Sequence, residues 1–278
     1  MAVISGISGA VEKSGAADIA SVGAWSINLE SGAPSHGASN TQGGTTTIPG
    51  NNDWSGSYEA FGHTPSILPN QSHGFYGSID GVNGAHGQIR CSAVDIFIDI
   101  ENGAPIVHTV EFGADGALTI EAETAADATI IEEPSSVGCK LELANVTAPS
   151  YAVVPDVRNI RIRIMADLKS FVTSNTSGET ERAPGRLTYE ITFSVYTSDF
   201  STLPAPNDVQ AIRIYVTQTE YWEFRWGLFT ALSDMGANIN DASLVEATLT
   251  AVMKGVAEVS GNPTVGFIKK PDTSTLWP

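Results

Sequence analysis

Five histidines (His36, His63, His73, His86 and His108) and two cysteines (Cys91 and Cys139) are the residues best suited to chemistry. No two histidines stand four apart, as a helical zinc site requires, and none lies near a cysteine at zinc-finger spacing. Each histidine therefore reads as a surface or strand residue. GISG (6–9) is not a G-x-S-x-G elbow. DGVNGAHG (80–87) has the glycines of a calcium loop but not its carboxylates at positions 3, 5 and 12, and reads as a hairpin turn. There is no P-loop and no G-x-G-x-x-G. In AVDIFIDIE (93–101), Asp95 and Asp99 share a strand face, but the aligned residues of the second half are Gly227 and Ala231, so no acid/base pair recurs. No catalytic, cofactor-binding or metal-ligating residue is assigned, and neither an enzyme nor a cofactor is expected.

Charge narrows the partners. The 278 residues carry a net charge of −17, which argues against holding a nucleic-acid backbone by counterion release but not against a wall that nucleic acid slides past. Residues 1–135 have two basic residues, Lys13 and Arg90, and 16 acidic ones, while residues 136–278 have 12 basic and 15 acidic. Two cysteines cannot build a disulfide framework, which suits a reducing cytoplasm. No run of about 18 apolar residues is present, and no membrane segment is expected. The opening MAVISGISGAVEKSG lacks the basic and apolar regions of a signal peptide.

The two halves repeat. Displaced by 135 positions, residues 21–69 fall on 156–204 without a gap and with 13 identities. SNTQGGTTTIPG (39–50) lies on SNTSGETERAPG (174–185), and Val22, Trp25, Ile27 and Leu29 lie on Val157, Ile160, Ile162 and Ile164. Farther on, IIEEP (130–134) meets FIKKP (267–271). Two homologous domains follow, 1–135 and 136–278, joined by a segment without a long Gly/Ser tract, so that docked domains are expected.

Alternation of period two marks strands in AWSINLES, SGSYEAFG, GFYGSIDG, IRCSAVDIFIDIE and IVHTVEFG, and in NIRIRIMA, LTYEITFSVYT and VQAIRIYVTQ. SLVEATLTAVMKG (243–255) and YWEFRWGLFTALSDM (221–235) have helical propensity, but their counterparts are β-rich, so both are assigned to strands. The aromatics Trp25, Trp54, Tyr58, Tyr189, Phe193, Trp222 and Trp226 fall mostly on strands, where core packing explains them better than a carbohydrate platform. Each repeat is expected to be a mainly β sandwich or partly closed barrel with at most a short helix. One polar excursion, 30–53 and again 165–186, has equal length in both copies and reads as a hairpin arm with a task common to both.

The first repeat resembles the tail tube protein of long-tailed bacteriophages. The resemblance covers about residues 20–120 and rests on AWSINLESG, IPGNNDWSGSYEAFGHTPSILPN and GFYGSIDGVNGAHGQIRCSAVDIFIDIENGAPIVHTVEFGADGALT. The second repeat departs from it, with LTYEITF in place of DW-x-G-S-Y, and is tied to the family through the duplication. The resemblance implies a structural virion protein of the viral tail, made in the host cytoplasm, whose β domains self-assemble into stacked rings around a channel that passes genomic DNA. It implies tape measure, tail terminator and baseplate proteins as partners. With two domains per chain, a pseudo-hexameric ring of three chains is expected, in which first and second domains alternate. A channel lined by acidic faces such as Asp95, Asp99 and Glu101 is expected, with both arms waiting for a partner in the next ring. Glu132-Glu133 and Lys269-Lys270 are expected to tell right neighbours from wrong ones. Another virion component (capsid decoration, tail terminator or baseplate protein) and a carbohydrate-binding β module remain as alternatives.

Overall fold

In a computed structural model, residues 10–13, 22–37, 45–47, 50–62, 65–78, 83–122, 135–147, 150–176, 178–197, 199–217, 220–236, 245–253 and 265–268 are described. The chain is mainly β, with one 3-10 turn at Phe200–Thr202 among these residues. No helix among them is long and apolar enough to cross a membrane. The segments 221–235 and 243–255, helical by propensity, form the strands Tyr221–Gly236 and Glu246–Met253. Their in-register cross-strand partners outweigh local preference.

Two compact units are present, each built from three segments. The first comprises 1–94, 108–132 and 165–187, and the second 95–107, 133–164 and 188–278. Each repeat thus contributes to both units: the arm of the second repeat belongs to the first unit, and 95–107 of the first repeat belongs to the second.

The first unit contains β1 (Ala10–Lys13), β2 (Val22–Ser31), the arm hairpin β3 (Ser35–Gly37) and β4 (Thr45–Thr47), β5 (Asn52–Phe61) and β6 (Ser72–Ser78). It also holds most of β7 (Asn83–Asp99) and of β8 (Val107–Ala122). The main strands run in the order β1-β6-β7-β8-β5-β2. Phe112, on β8, is the centre of its core, with ring centroids 4.8 Å from Phe75, 6.0 Å from Trp54 and 6.5 Å from Tyr58. Gly56 makes the room. A Cβ there would stand 2.6 Å from Phe112 Cζ, and one on Gly87 would stand 2.6 Å from Trp54 Cζ2. The glycine in DW-x-G-S-Y is thus the bare patch over which an aromatic ring lies.

The second unit contains β9 (Lys140–Asn145), β10 (Ala152–Val153), β11 (Val157–Ala166), β14 (Leu187–Tyr196), β15 (Val209–Tyr215), β16 (Tyr221–Gly236), β17 (Glu246–Met253) and β18 (Val265–Ile268). The arm hairpin β12 (Lys169–Phe171) and β13 (Glu181–Ala183) lies between β11 and β14 in the chain. The order is β9-β15-β16-β17-β14-β11, the order of the first unit strand for strand. Ile160, Ile162, Ile191, Phe193, Phe224, Phe229 and Leu249 fill its core.

The correspondence extends to single bonds. Ser35 pairs with Thr47 in the first arm and Ser170 with Arg182 in the second, the same register 135 residues on. Gly32 N donates to Asn51 O, and Asp167 N to Arg186 O. A Cβ on Gly50 would stand 1.7 Å from Gly32 O, and one on Gly185 the same distance from Asp167 O. The Pro-Gly shared by both arms is explained by this approach of backbone to backbone, which only glycine permits.

β2 and β11 differ. Ile160, Ile162 and Ile164 are buried. Of their counterparts, Trp25 and Ile27 are half-buried and Leu29 is 58% exposed. β11 has β7 on its outer side, and the residues of β7 from Asp95 onward belong to its unit. β2 ends the strand order, paired on one side with β5.

Candidate functional site

The two places where one repeat enters the other's unit are the candidate site. In the first unit the arm of the second repeat is held in a socket formed by the start of β5, the turn before β6 and the middle of β8. Arg182 is its anchor. Its side chain, 12% exposed, bonds both carboxylate oxygens of Asp53 at 2.8 and 3.0 Å and donates to Ala114 O at 2.6 Å. Its guanidinium lies against Gly113, where a Cβ would be 2.3 Å from Cζ. Arg182 N donates to Asp115, whose carboxylate also accepts from Arg90 and Ser72 at 2.8 Å. One guanidinium nitrogen, Nη2, faces the Asp53 carboxylate while the other, Nη1, holds Ala114 O, two fixed directions that the single ammonium of a lysine does not reproduce.

Asn70 supplies a second hold. Its side-chain amide donates to Gly185 O and accepts from Gly185 N, both at 2.8 Å, acting as a strand would toward the arm's base. The residue is in the left-handed region (φ 74), at the end of a turn in which Leu68 N donates to Gln71 Oε1. Backbone bonds complete the seat: Gly116 N to Thr180 O, Thr180 N to Asn52 O and Asn52 N to Gly178 O. Both excursions were expected to wait for a partner. The second does not, because its partner groups are supplied by the same chain.

In the second unit, residues 95–107 lie against β11. Asp95 bonds Arg161 through both carboxylate oxygens, and Glu101 bonds Arg158 and Tyr196. Arg158 also reaches Glu246 and lies over the Tyr196 ring, 4.5 Å from its centroid. The turn closes at Asn102-Gly103, with Gly103 at φ 61. The expected acidic face is therefore largely answered by arginine, since Asp95 and Glu101 are both paired. Arg213 is engaged too, stacked 3.5 Å over Tyr151 and bonded to Glu223.

The hydrogen bonds from Arg158 and then Tyr196 hold Glu101 below its ordinary value of 4.5. A depressed carboxylate stabilises the fold above its unfolded pKa, and this contribution is lost as pH falls through the folded pKa. Glu101→Gln should therefore melt at a lower temperature than the parent at about pH 7, with the gap closing as pH falls through the depressed folded pKa of Glu101. A gap independent of pH would assign the loss to packing instead.

Among the other residues singled out by sequence, His108 is buried with Nδ1 2.9 Å from Gly62 O, and His73 and His86 are half-buried in strands. His63, Glu132-Glu133 and Lys269-Lys270 lie outside the described residues, as does the side chain of His36. Cys91 and Cys139 are buried in different units, each thiol pushed up to about 12 by burial. No metal-holding group of His, Cys, Asp and Glu occurs among the described residues. Sequence reasoning passed over Asn70, Asp53, Asp115 and Arg182. The one signal was that Arg182 replaces Thr47 in an otherwise matching arm. No protein-family model matches the chain, and no curated protein matches it.

Proposed function

We propose that this chain is the subunit of a self-assembling tube, the tail tube of a long-tailed phage, in which rings of three chains stack around a channel for the viral genome. Its two tandem repeats, 1–135 and 136–278, are each a β domain of the tail tube type in this reading. The observation that carries it is that each unit is completed by a segment of the other repeat. Each takes up a piece of the other repeat through specific charged and backbone bonds, which is how a building block joins its neighbours. The repeated strand order and the two arms of identical register support it. So does the resemblance of residues 20–120, for which the family's six domains per ring translate into three two-domain chains.

The acidity suits a conduit. Duplex DNA carries a charge every ~1.7 Å, and a basic wall would retain it. Negative-stain images of the purified chain test the reading, with hollow tubes expected and end-on averages showing threefold symmetry. Deletion of 36–46 should leave a folded chain that forms no tubes. A parent chain that stays dispersed at every concentration, or binds only to capsids, would replace this reading with that of another virion component.

A further inference from the structure

In the first unit the arm socket is filled by the second repeat's arm, and in the second unit the edge of β11 is covered by the first repeat's 95–107. The duplication provides one more of each receiving surface and one more of each inserting piece. The turn at 205–208 copies that at 68–71. Ala205 N donates to Asp208 Oδ2 as Leu68 N does to Gln71 Oε1. Asn207 N donates to Phe229 O as Asn70 N does to Cys91 O. Phe229 N donates to Asp208 O as Cys91 N does to Gln71 O. Asn207 takes the same left-handed backbone, φ 80 against 74 for Asn70. Its side chain is exposed and makes no hydrogen bond to the described residues. Asn70 uses that same amide to clasp Gly185, whose counterpart in the first arm is Gly50.

The other surplus pair is the edge of β2 and the far end of β16. β2 is the counterpart of β11 but has no buried residue and exposes Leu29. Among the described residues β2 is laddered to β5 alone, its Trp25 Nε1 donating to Ser78 O of β6, and an edge without a ladder partner invites another strand. β16 runs on to Gly236, as β7 runs on to Asp99, and its Met235 is 53% exposed.

We infer that the occupant of both surfaces is a second copy of this chain: its first arm, the β3–β4 hairpin with Gly50 at its base, seats beside Asn207, and its β2 receives the end of β16. The two contacts are mutually consistent. Within the chain the second repeat gives its arm and receives 95–107; between chains the first repeat gives its arm and receives the β16 end. The interface is head-to-tail and closes only by forming a ring or continuing as a filament. This inference rests on the tube reading and specifies the junction by which the rings would form.

The chemistry also dictates which partner goes where. Where the second arm has Arg182 the first has Thr47, and where its socket has Asp53 the second repeat has Thr188. Where β11 has Arg158 and Arg161, β2 has Gly23 and Ser26. The charged junction operates within a chain and the neutral one between chains. An Arg182 arm presented at Thr188 would lose its carboxylate partner, so like repeats do not pair.

Crosslinking tests this in the full chain. Thr47→Cys with Thr188→Cys, treated with a short bis-maleimide to which one thiol adds at each end, should give a ladder of linked chains under denaturing conditions. Asp53→Cys with Arg182→Cys should link within one chain and give no ladder. Asn207→Gly, which keeps the left-handed backbone and removes the amide, and Leu29→Lys should each weaken association about tenfold or more. If the parent assembles but the Thr47→Cys/Thr188→Cys chain gives no ladder and the Asn207 and Leu29 variants assemble normally, the junction is wrong while the tube reading stands. If the ladder forms without tubes, the junction holds and the tube reading falls. A parent that never associates overturns both.

Discussion

Arg182→Ala should release the second arm from the first unit at a cost of about 2–3 kcal/mol. The magnitude follows from what is lost and what is left behind. Removing one partner of a fully buried pair costs about 3–5 kcal/mol because the other charge is stranded. Here Arg182 is 12% exposed but Asp53 is 41% exposed, so water recovers part of the loss. Ala114 O also loses its donor. Amide hydrogen exchange reads the effect locally. The amides of Gly116, Thr180 and Arg182, all bonded in the seat, should exchange faster, while peptides of the second unit keep their protection. Arg182→Lys should recover only part of the loss, since one ammonium keeps the charge but cannot hold Asp53 and Ala114 O from two fixed directions at once. If the alanine variant exchanges like the parent, Asn70 and the backbone bonds hold the arm without Arg182.

Phe112→Ala should cost more, about 3–5 kcal/mol, because the ring is the common neighbour of Phe75, Trp54 and Tyr58. The cavity would not close easily. On one side the ring faces Gly56, which has no side chain to move in, and Tyr58 is tied to Ser66 at 2.7 Å. Urea unfolding followed by hydrogen exchange in 52–61 and 72–78 should show a drop confined to the first unit. A loss below about 1 kcal/mol would mean that the cluster repacks around the void.

These two residues also separate what was legible in the sequence from what was not. Phe112 could be placed: it alternates with Val110 in IVHTVEFG, and period two assigns both to one face. The strands, the duplication, the arm hairpins and the strand assignment of 221–235 and 243–255 all came from local periodicity or from comparing one repeat with the other. Both sources work because side-chain alternation is a property of the extended backbone itself, and because duplicated segments retain the same register. Arg182 was outside their reach. Its partner Asp53 is 129 residues away. It is not its counterpart in the other repeat, which is Thr47. Alignment pairs positions that play the same part, whereas docking joins positions that play different parts, arm to socket and strand end to strand edge. The same blindness made the two arms look equivalent, and made Asp95 and Glu101 look like a bare acidic face. Only the tertiary structure, by deciding which strand lies beside which, showed one arm seated, those carboxylates answered by Arg161 and Arg158, and β2 laddered, among the described residues, to β5 alone.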